Sequence, residues 1–398
     1  MMGIHKMLLQ EGHESYVVWG RGRKSEDKNE IVIEDALGIK FHGIYTRLFD
    51  KTGFASWSAT KKLLHLLDEI NPDIIHLHNI HGYYLNIEIL FEYIKKRNIK
   101  VVWTFHDCWP VTGHCAYFDL IKCLKWKTGC HDCEQKMTYP KSLLFDSSTW
   151  NWKKKRELFT GLELHIVTPS KWLKRIVLES YLKEYPISVI NNGIDLNTFK
   201  CIYKDEIRRK YSPDGKPIVL GVASEWTERK GLSDFIELSK RNQNFQFVVV
   251  GVTKEQIMSF PKCLLGVSRT NNVNELVELY SIADVFYNPT YEDNFPTTNL
   301  ESLACGTPVV TYDTGGSPEC IDAALNKTGR IVGKIINKKS SNEVDYSYVL
   351  EELEKMIKMV GNSRTEKNTR YDCREAALDY DRNKRFAEYI SLYLKICI

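Results

Sequence analysis

No run of apolar residues in this 398-residue chain approaches the ~20 needed to cross a bilayer as a helix. The longest are short, such as Phe247 to Val252. The opening residues carry one charge and no long apolar segment, so a secretory leader is not expected. Repeats with a period of about 20–50 residues are missing, which argues against a solenoid, and there is no low-complexity run. Charge of one sign is also scarce. A net charge of +4 gives no footing for a nucleic-acid partner, and none is expected. At 43% hydrophobic, the chain is not short of core-forming residues either. General disorder is excluded, and the length suggests two or three domains of roughly 150 residues each.

Cysteine, by contrast, is plentiful. Five of the eleven lie between Cys108 and Cys133. With no leader expected, a reducing cytoplasm is the expected compartment, and clustered cysteines there suggest a metal site or packed thiols. The other six read as mostly buried apolar side chains. The slight basic excess falls in the first half, notably at Lys153, Lys154, Lys155 and Arg156. That run reads as a solvated helix face, with a membrane-facing or anion-binding patch as the alternative.

Apolar strands alternate with helical patterns along most of the chain. In the first half, strands are expected at 16–19, 74–78, 101–105, 164–168 and 187–190, with helices at 1–10, 57–70, 85–96 and 170–179. Residues 107–150 break the alternation. So long an irregular stretch inside a compact domain is usually functional or held by something. A second alternating unit begins near Lys216, with strands at 217–222, 245–252, 284–287 and 307–312. Its helices are expected at 232–241, 273–282 and 298–304. Such alternation implies parallel sheets with both faces covered. The expected fold is therefore two doubly wound, Rossmann-like α/β domains facing a cleft, with ligands beyond the carboxyl ends of the strands. The domains are placed at 1–195, with the Cys-rich insertion at 107–150, and 196–375. Residues 376–398 are expected to form a C-terminal helix crossing back to the first domain.

The stretch from Asn288 to Pro308 carries the most chemistry. A strand ends at Tyr287, a loop carries Asp293, and a helix starts at Thr297 or Thr298 with Glu301 near its beginning. The free N–H groups of that helix start can hold a phosphate. A loop carboxylate can bind sugar hydroxyls, and Glu301 can bind two adjacent hydroxyls such as those of a ribose. Thr298 and Glu301 also have the spacing of a capping box, in which Glu301 merely satisfies backbone donors.

This stretch resembles the carboxylate motif of glycosyltransferase family four, retaining enzymes of the two-domain GT-B fold, whose two acids would be Asp293 and Glu301. Gly306-Thr307-Pro308-Val309-Val310 and Thr314-Gly315-Gly316-Ser317-Pro318-Glu319 are also similar to the family. So are Ile190-Asn191-Asn192-Gly193-Ile194-Asp195 and Thr168-Pro169-Ser170-Lys171-Trp172-Leu173. Ser224 to Gly231 takes the place of the diphosphate-binding loop, with Lys230 matching the family lysine. The family arginine upstream is replaced, and Arg229 stands nearby. The resemblance implies that Lys230, Arg229, Thr297 and Thr298 bind the diphosphate, Glu301 the ribose, and Asp293 the sugar. It places His106, in Thr104-Phe105-His106-Asp107, at the cleft. His76, His78 and His81 either line the acceptor side or are core and loop histidines. Within the family the chain is most similar to bacterial capsular or exopolysaccharide enzymes of the colanic-acid type. The segments carrying that likeness are His106 to Pro110, Gly113 to Cys115 and Lys125 to Cys133.

The implied activity is transfer of a sugar from a UDP- or GDP-sugar to a glycan or lipid-linked glycan acceptor, at the cytoplasmic face of the membrane with peripheral contact. No cofactor is expected for catalysis. Cys115, Cys123, Cys130 and Cys133, with His114 or His131 as substitutes, are candidates for a structural zinc. Asp379 and Asp381 read as a solvated helix face. Family members start with a strand and Gly-rich turn that this chain lacks, so it is expected to begin inside the first helix. Two alternatives stay open: a nucleotide-sugar epimerase of the same fold, and a truncated, non-catalytic binding protein.

Overall fold

The computed structural model describes residues 1–20, 22, 25–34, 36–338, 343–361 and 369–397. The chain divides into two compact units, Met1–Asn191 with Arg385–Ile398, and Asn192–Lys384.

The first unit opens with a helix, Met2–Gln10, followed by β1 (Val17–Trp19) and β2 (Glu30–Val32). These two pair in parallel as a separate small sheet. A four-stranded parallel sheet follows, built from β3 (Ile74–Leu77), β4 (Lys100–Thr104), β5 (Leu164–Thr168) and β6 (Ile187–Val189) in that spatial order. Among the described residues, β1 and β3 therefore each have one strand neighbour. Between them lies a cavity of about 420 Å³, lined by Val17, Val18, Leu63, Ile75, Leu77 and Leu90 among others. The helix Trp57–Ile70 forms as expected, and its apolar positions Ala59 and Leu63 face inward. It ends at Asn71, which adopts the left-handed conformation before Pro72.

The insertion between β4 and the helix Ser148–Phe159 contains only two short 3-10 turns, Trp109–Val111 and Lys125–Lys127. It is nonetheless packed. Cys108, Trp109, Val111, Cys115, Phe118 and Trp126 join the main core of this unit. Lys155 corrects the expectation of a solvated basic face. It is buried, donates to the carbonyls of Trp109 at 2.8 Å and Thr112 at 3.1 Å, and lies 3.3 Å from the Trp109 ring centre. Burial pulls its ammonium down to about 7. An irregular backbone needs its carbonyls satisfied, and Lys155 satisfies two of them.

The second unit holds one six-stranded sheet of β7 (Ile218–Val222), β8 (Gln246–Val250), β9 (Leu264–Val267), β10 (Val285–Asn288), β11 (Val309–Tyr312) and β12 (Gly333–Ile336). The order is β12-β11-β10-β7-β8-β9, and every pairing is parallel. Val219, Phe247, Val249, Val285 and Tyr287 are all buried, as an all-parallel sheet covered on both faces requires. Strand order reverses between β7 and β10, and ligand crevices in doubly wound sheets form at such a point. Asp379 and Asp381 do not share a helix face. Asp379 pairs with Lys327 at 2.7 Å. Asp381 instead accepts from the Asn383 N–H at the start of the last helix, Arg382–Cys397.

Candidate active site

The loops following β7 and β10 meet at the reversal point. After β7, a 3-10 turn over Glu228–Lys230 runs into Gly231, which has φ of 74°. A Cβ there would come within 2.3 Å of the Pro289 carbonyl oxygen, so only glycine lets the two loops close. The Tyr291 N–H donates to the Arg229 carbonyl at 2.7 Å, and Arg229 Nη1 donates to the Glu292 carbonyl at 3.0 Å. Lys230 Nζ then reaches Asp293 Oδ2 at 2.5 Å. The turn after β11 joins them, because the Gly316 N–H donates to the Asp293 carbonyl at 3.2 Å. Lys230, Arg229 and Asp293 thus form one cluster.

The helix Thr297–Ala304 follows Pro296, and no side chain caps its start. Its first N–H groups carry the positive end of the helix dipole. The capping-box geometry is not used. Glu301 lies one turn further in and accepts instead from the Tyr280 hydroxyl at 3.1 Å. Burial raises its carboxyl above the ordinary range, against hydrogen bonds from Tyr280 and Thr297. The helix is pinned by Asn299, which accepts from Asn288 at 2.8 Å and donates to the Ser317 carbonyl at 2.9 Å.

Asp234 was not singled out by sequence, yet it holds this region. Its carboxylate is buried and accepts from Tyr291 at 3.0 Å, Tyr312 at 2.5 Å and Tyr346 at 3.0 Å. Burial raises its carboxyl while the three hydroxyls pull it down. Tyr291 belongs to the loop carrying Asp293, so Asp234 positions that loop. The available signal was an acid among the apolar positions Leu232, Phe235 and Leu238 of one helix.

In the first unit, His106 follows β4. Its Nε2 lies 3.0 Å from His78 Nδ1. His76 bonds Thr104 at 2.8 Å and the Tyr393 hydroxyl at 2.6 Å. His81 pairs with Asp107 at 3.2 Å and stacks on Trp109. Burial lowers His76 to about 3, and also lowers His78 and His106. The histidines therefore form a network extended by a tyrosine from the last helix.

Cys115, Cys123, Cys130 and Cys133 line one small cavity together with His114 and His131. Cys130 Sγ accepts from the Gly113 N–H at 3.1 Å. His114 is buried with Nδ1 on Asp50, and its Nε2 has no partner. Among the described residues, no three ligand atoms at this cavity lie within 4.8 Å of one another. The hydrogen bond with Cys115 draws the Cys133 thiol down to about 7.

Residues 2–198 match the family model described as Glycosyltransferase Family 4, and residues 203–368 match that for Glycosyl transferases group 1. Over 353 residues the chain is 25% identical to a putative colanic acid biosynthesis glycosyl transferase, WcaC, of Escherichia coli (strain K12), covering 82% of each. It is 30% identical over 230 residues to an N,N'-diacetylbacillosaminyl-diphospho-undecaprenol alpha-1,3-N-acetylgalactosaminyltransferase of Campylobacter jejuni, covering 54% of this chain and 56% of the relative. The Anabaena protein Alr3699/HepE, solved in complex with UDP, shares the fold with a TM-score of 0.57 at 14% identity, covering 85% of this chain and 82% of that one.

Proposed function

Since the chain belongs to the glycosyltransferases, matching Family 4 in its first half and group 1 in its second, we propose that it is a retaining enzyme of bacterial surface polysaccharide synthesis. It moves a sugar from a UDP- or GDP-sugar to a glycan acceptor, lipid-linked as in the Campylobacter relative's name. Such a donor puts the reaction on the cytoplasmic side.

The observation that carries this reading is the Lys230–Asp293 pair at the strand-order reversal. Without donor, each charge is answered by the other. An incoming diphosphate competes for the ammonium, and the released carboxylate is then free to accept from sugar hydroxyls. Arg229 and the N–H groups at Thr297 and Thr298 add positive potential for the phosphates. Glu301 receives the ribose hydroxyls. During transfer the bond from sugar C1 to the diphosphate oxygen breaks, and its electron pair leaves with the diphosphate. The acceptor oxygen bonds C1 on the same face, and its proton passes to the departing phosphate oxygen. Lys230 stabilises the charge that grows on that oxygen. His106 is proposed as the first unit's catalytic contribution.

For the insertion, we propose a structural zinc on Cys115, Cys123, Cys130 and Cys133, with no part in transfer. It draws on four cysteines around one cavity and the buried, unpartnered His114 Nε2 beside them, and it requires these ligand atoms to draw together on binding, since no three of them lie within 4.8 Å of one another.

The test is nucleoside diphosphate release from UDP- and GDP-sugars, with and without glycan acceptor. Acceptor-dependent release with an alpha-linked product supports transfer. Interconversion of donor alone would replace it with epimerisation, and tight binding without turnover would leave a binding protein.

A further inference from the structure

Three side chains able to ligate a metal converge where the first helix meets the small sheet. One ring nitrogen of His5 and one carboxylate oxygen each from Asp27 and Glu30 all lie within 4.8 Å of one another. They come from three separate places. His5 is on the helix Met2–Gln10, Asp27 stands just before β2, and Glu30 is the first residue of β2.

The protein itself does little to satisfy these groups. His5 is 3% exposed, and Ser15 Oγ holds its Nδ1 at 2.9 Å, which fixes the ring while Nε2 takes no hydrogen bond. Asp27 Oδ1 accepts the Asn29 N–H at 2.9 Å. Among the described residues, no lysine or arginine pairs with Asp27, and the Glu30 carboxylate has neither an ion pair nor a hydrogen bond. Asn29, in the same turn, adds a buried Oδ1 without a partner. Two carboxylates this close repel each other, and a buried imidazole nitrogen left unbonded is costly. One cation between them removes both penalties.

The donor set selects the ion. One imidazole and two carboxylates, with no thiolate, suit a divalent first-row ion such as Mn²⁺ better than Ca²⁺, which takes oxygen ligands alone. Asp27 is exposed, so water can reach the ion and exchange it. The ring held by Ser15 has the oriented imidazole that metal sites use.

We propose that His5, Asp27 and Glu30 bind an exchangeable divalent cation of the Mn²⁺ class, which clips the first helix to the β1–β2 sheet. That sheet needs a clip. Its two strands pair over three residues each, and an isolated pair of strands is marginal in water. Metal affinity becomes stability of the segments the ion joins. The inference makes no use of the transferase reading, and the site takes no part in transfer.

The full chain is titrated with Mn²⁺, without donor or acceptor, while electron paramagnetic resonance follows the free ion. About one bound ion per chain is expected, as one three-ligand site requires. Asp27→Asn and Glu30→Gln keep side-chain size and lie outside the core, so the chain stays folded. Each should weaken Mn²⁺ binding by about tenfold or more, since even loss of an outer partner of a metal ligand costs that much. Hydrogen exchange supplies a readout in the unaltered chain: Mn²⁺ should slow exchange at 17–19 and 30–32 and leave β7 and β10 unchanged. Absence of saturable Mn²⁺ binding overturns the proposal. So does binding that survives the double variant Asp27→Asn, Glu30→Gln, or that is lost instead in Cys115→Ser. Mn²⁺ that binds without slowing exchange in β1 and β2 overturns the clip.

Discussion

The second unit gathers its buried polar groups around a carboxylate, and the first around imidazoles. Asp234 ties three tyrosines and through Tyr291 holds the loop bearing Asp293. His76, His78 and His106 are knotted to one another and to Thr104 and Tyr393. The carboxylate sits beside a continuous sheet and sets up a charged site. The imidazoles sit at the end of a sheet whose next strand pair is detached, and they are held neutral. Deleting charge should therefore damage the second unit's function, whereas acid should damage the first unit's stability.

The largest effect is expected at Lys230. Lys230→Met keeps the stem and deletes the charge, and turnover should fall ~100-fold or more, the scale of losing one preorganised stabiliser. Donor affinity should fall less, because the charge it answers grows in the transition state. Melting should barely move, since the pair is partly exposed. Arg229→Met should cost less, because its guanidinium already serves the Glu292 carbonyl. Normal turnover in Lys230→Met, measured by steady-state kinetics, would remove the diphosphate assignment.

Glu301→Ala comes next. Loss of a charged acceptor for ribose hydroxyls should weaken nucleotide-sugar binding by about ten- to a hundredfold, equivalent to roughly 1.5–3 kcal/mol. Calorimetry giving unchanged affinity would reduce Glu301 to a partner of Tyr280.

The pH dependence sharpens the contrast. The three histidines have pKa values depressed on folding by burial, so the unfolded chain binds protons below about pH 6.5 that the folded unit refuses. Their contribution to stability is present above pH 6.5 and is lost as pH falls below it, for His76 down to about 3. For His76 the slope approaches roughly 1.4 kcal/mol per pH unit between those limits. Acid unfolding followed by hydrogen exchange should open β3 and β4 before β7 and β10. Simultaneous opening would erase the distinction between the units.

The smallest effect on the second unit should come from the cysteines. Elemental analysis of purified protein should find about one zinc per chain, as a single four-ligand site requires. Chelation should loosen the insertion in limited proteolysis and leave nucleotide binding unchanged. Metal-free protein of the same stability would make these cysteines packed thiols.

Much of the frame was legible because periodicity reports burial. The helices at 57–70 and 273–282 and the strand at 164–168 stand where apolar spacing put them. β2 was not legible, being three residues that include Glu30 and follow a charged stretch. The helix at 36–49 escaped although Leu37, Phe41 and Ile44 keep helical spacing, because Gly38 and Gly43 interrupt it with poor helix formers. Lys155 was misread because Lys153 and Arg156 of the same run do face outward, and sequence cannot tell which lysine of a run finds two carbonyls. At the site, Lys230 and Asp293 were each picked out, but their pairing spans 63 residues of chain and follows from strand order rather than local pattern.

The cavity beside β1 and β3 has a consequence for handling the protein. Each strand offers one row of backbone donors and acceptors that no neighbouring strand in its sheet uses. Such a row is a template on which another extended chain can add. Here the template opens into a largely apolar slot, with Pro72 and Asp73 only at the entry to β3. Concentrated solutions should therefore fail colloidally through the first unit, by strand addition between molecules, while the second unit remains folded within the aggregate.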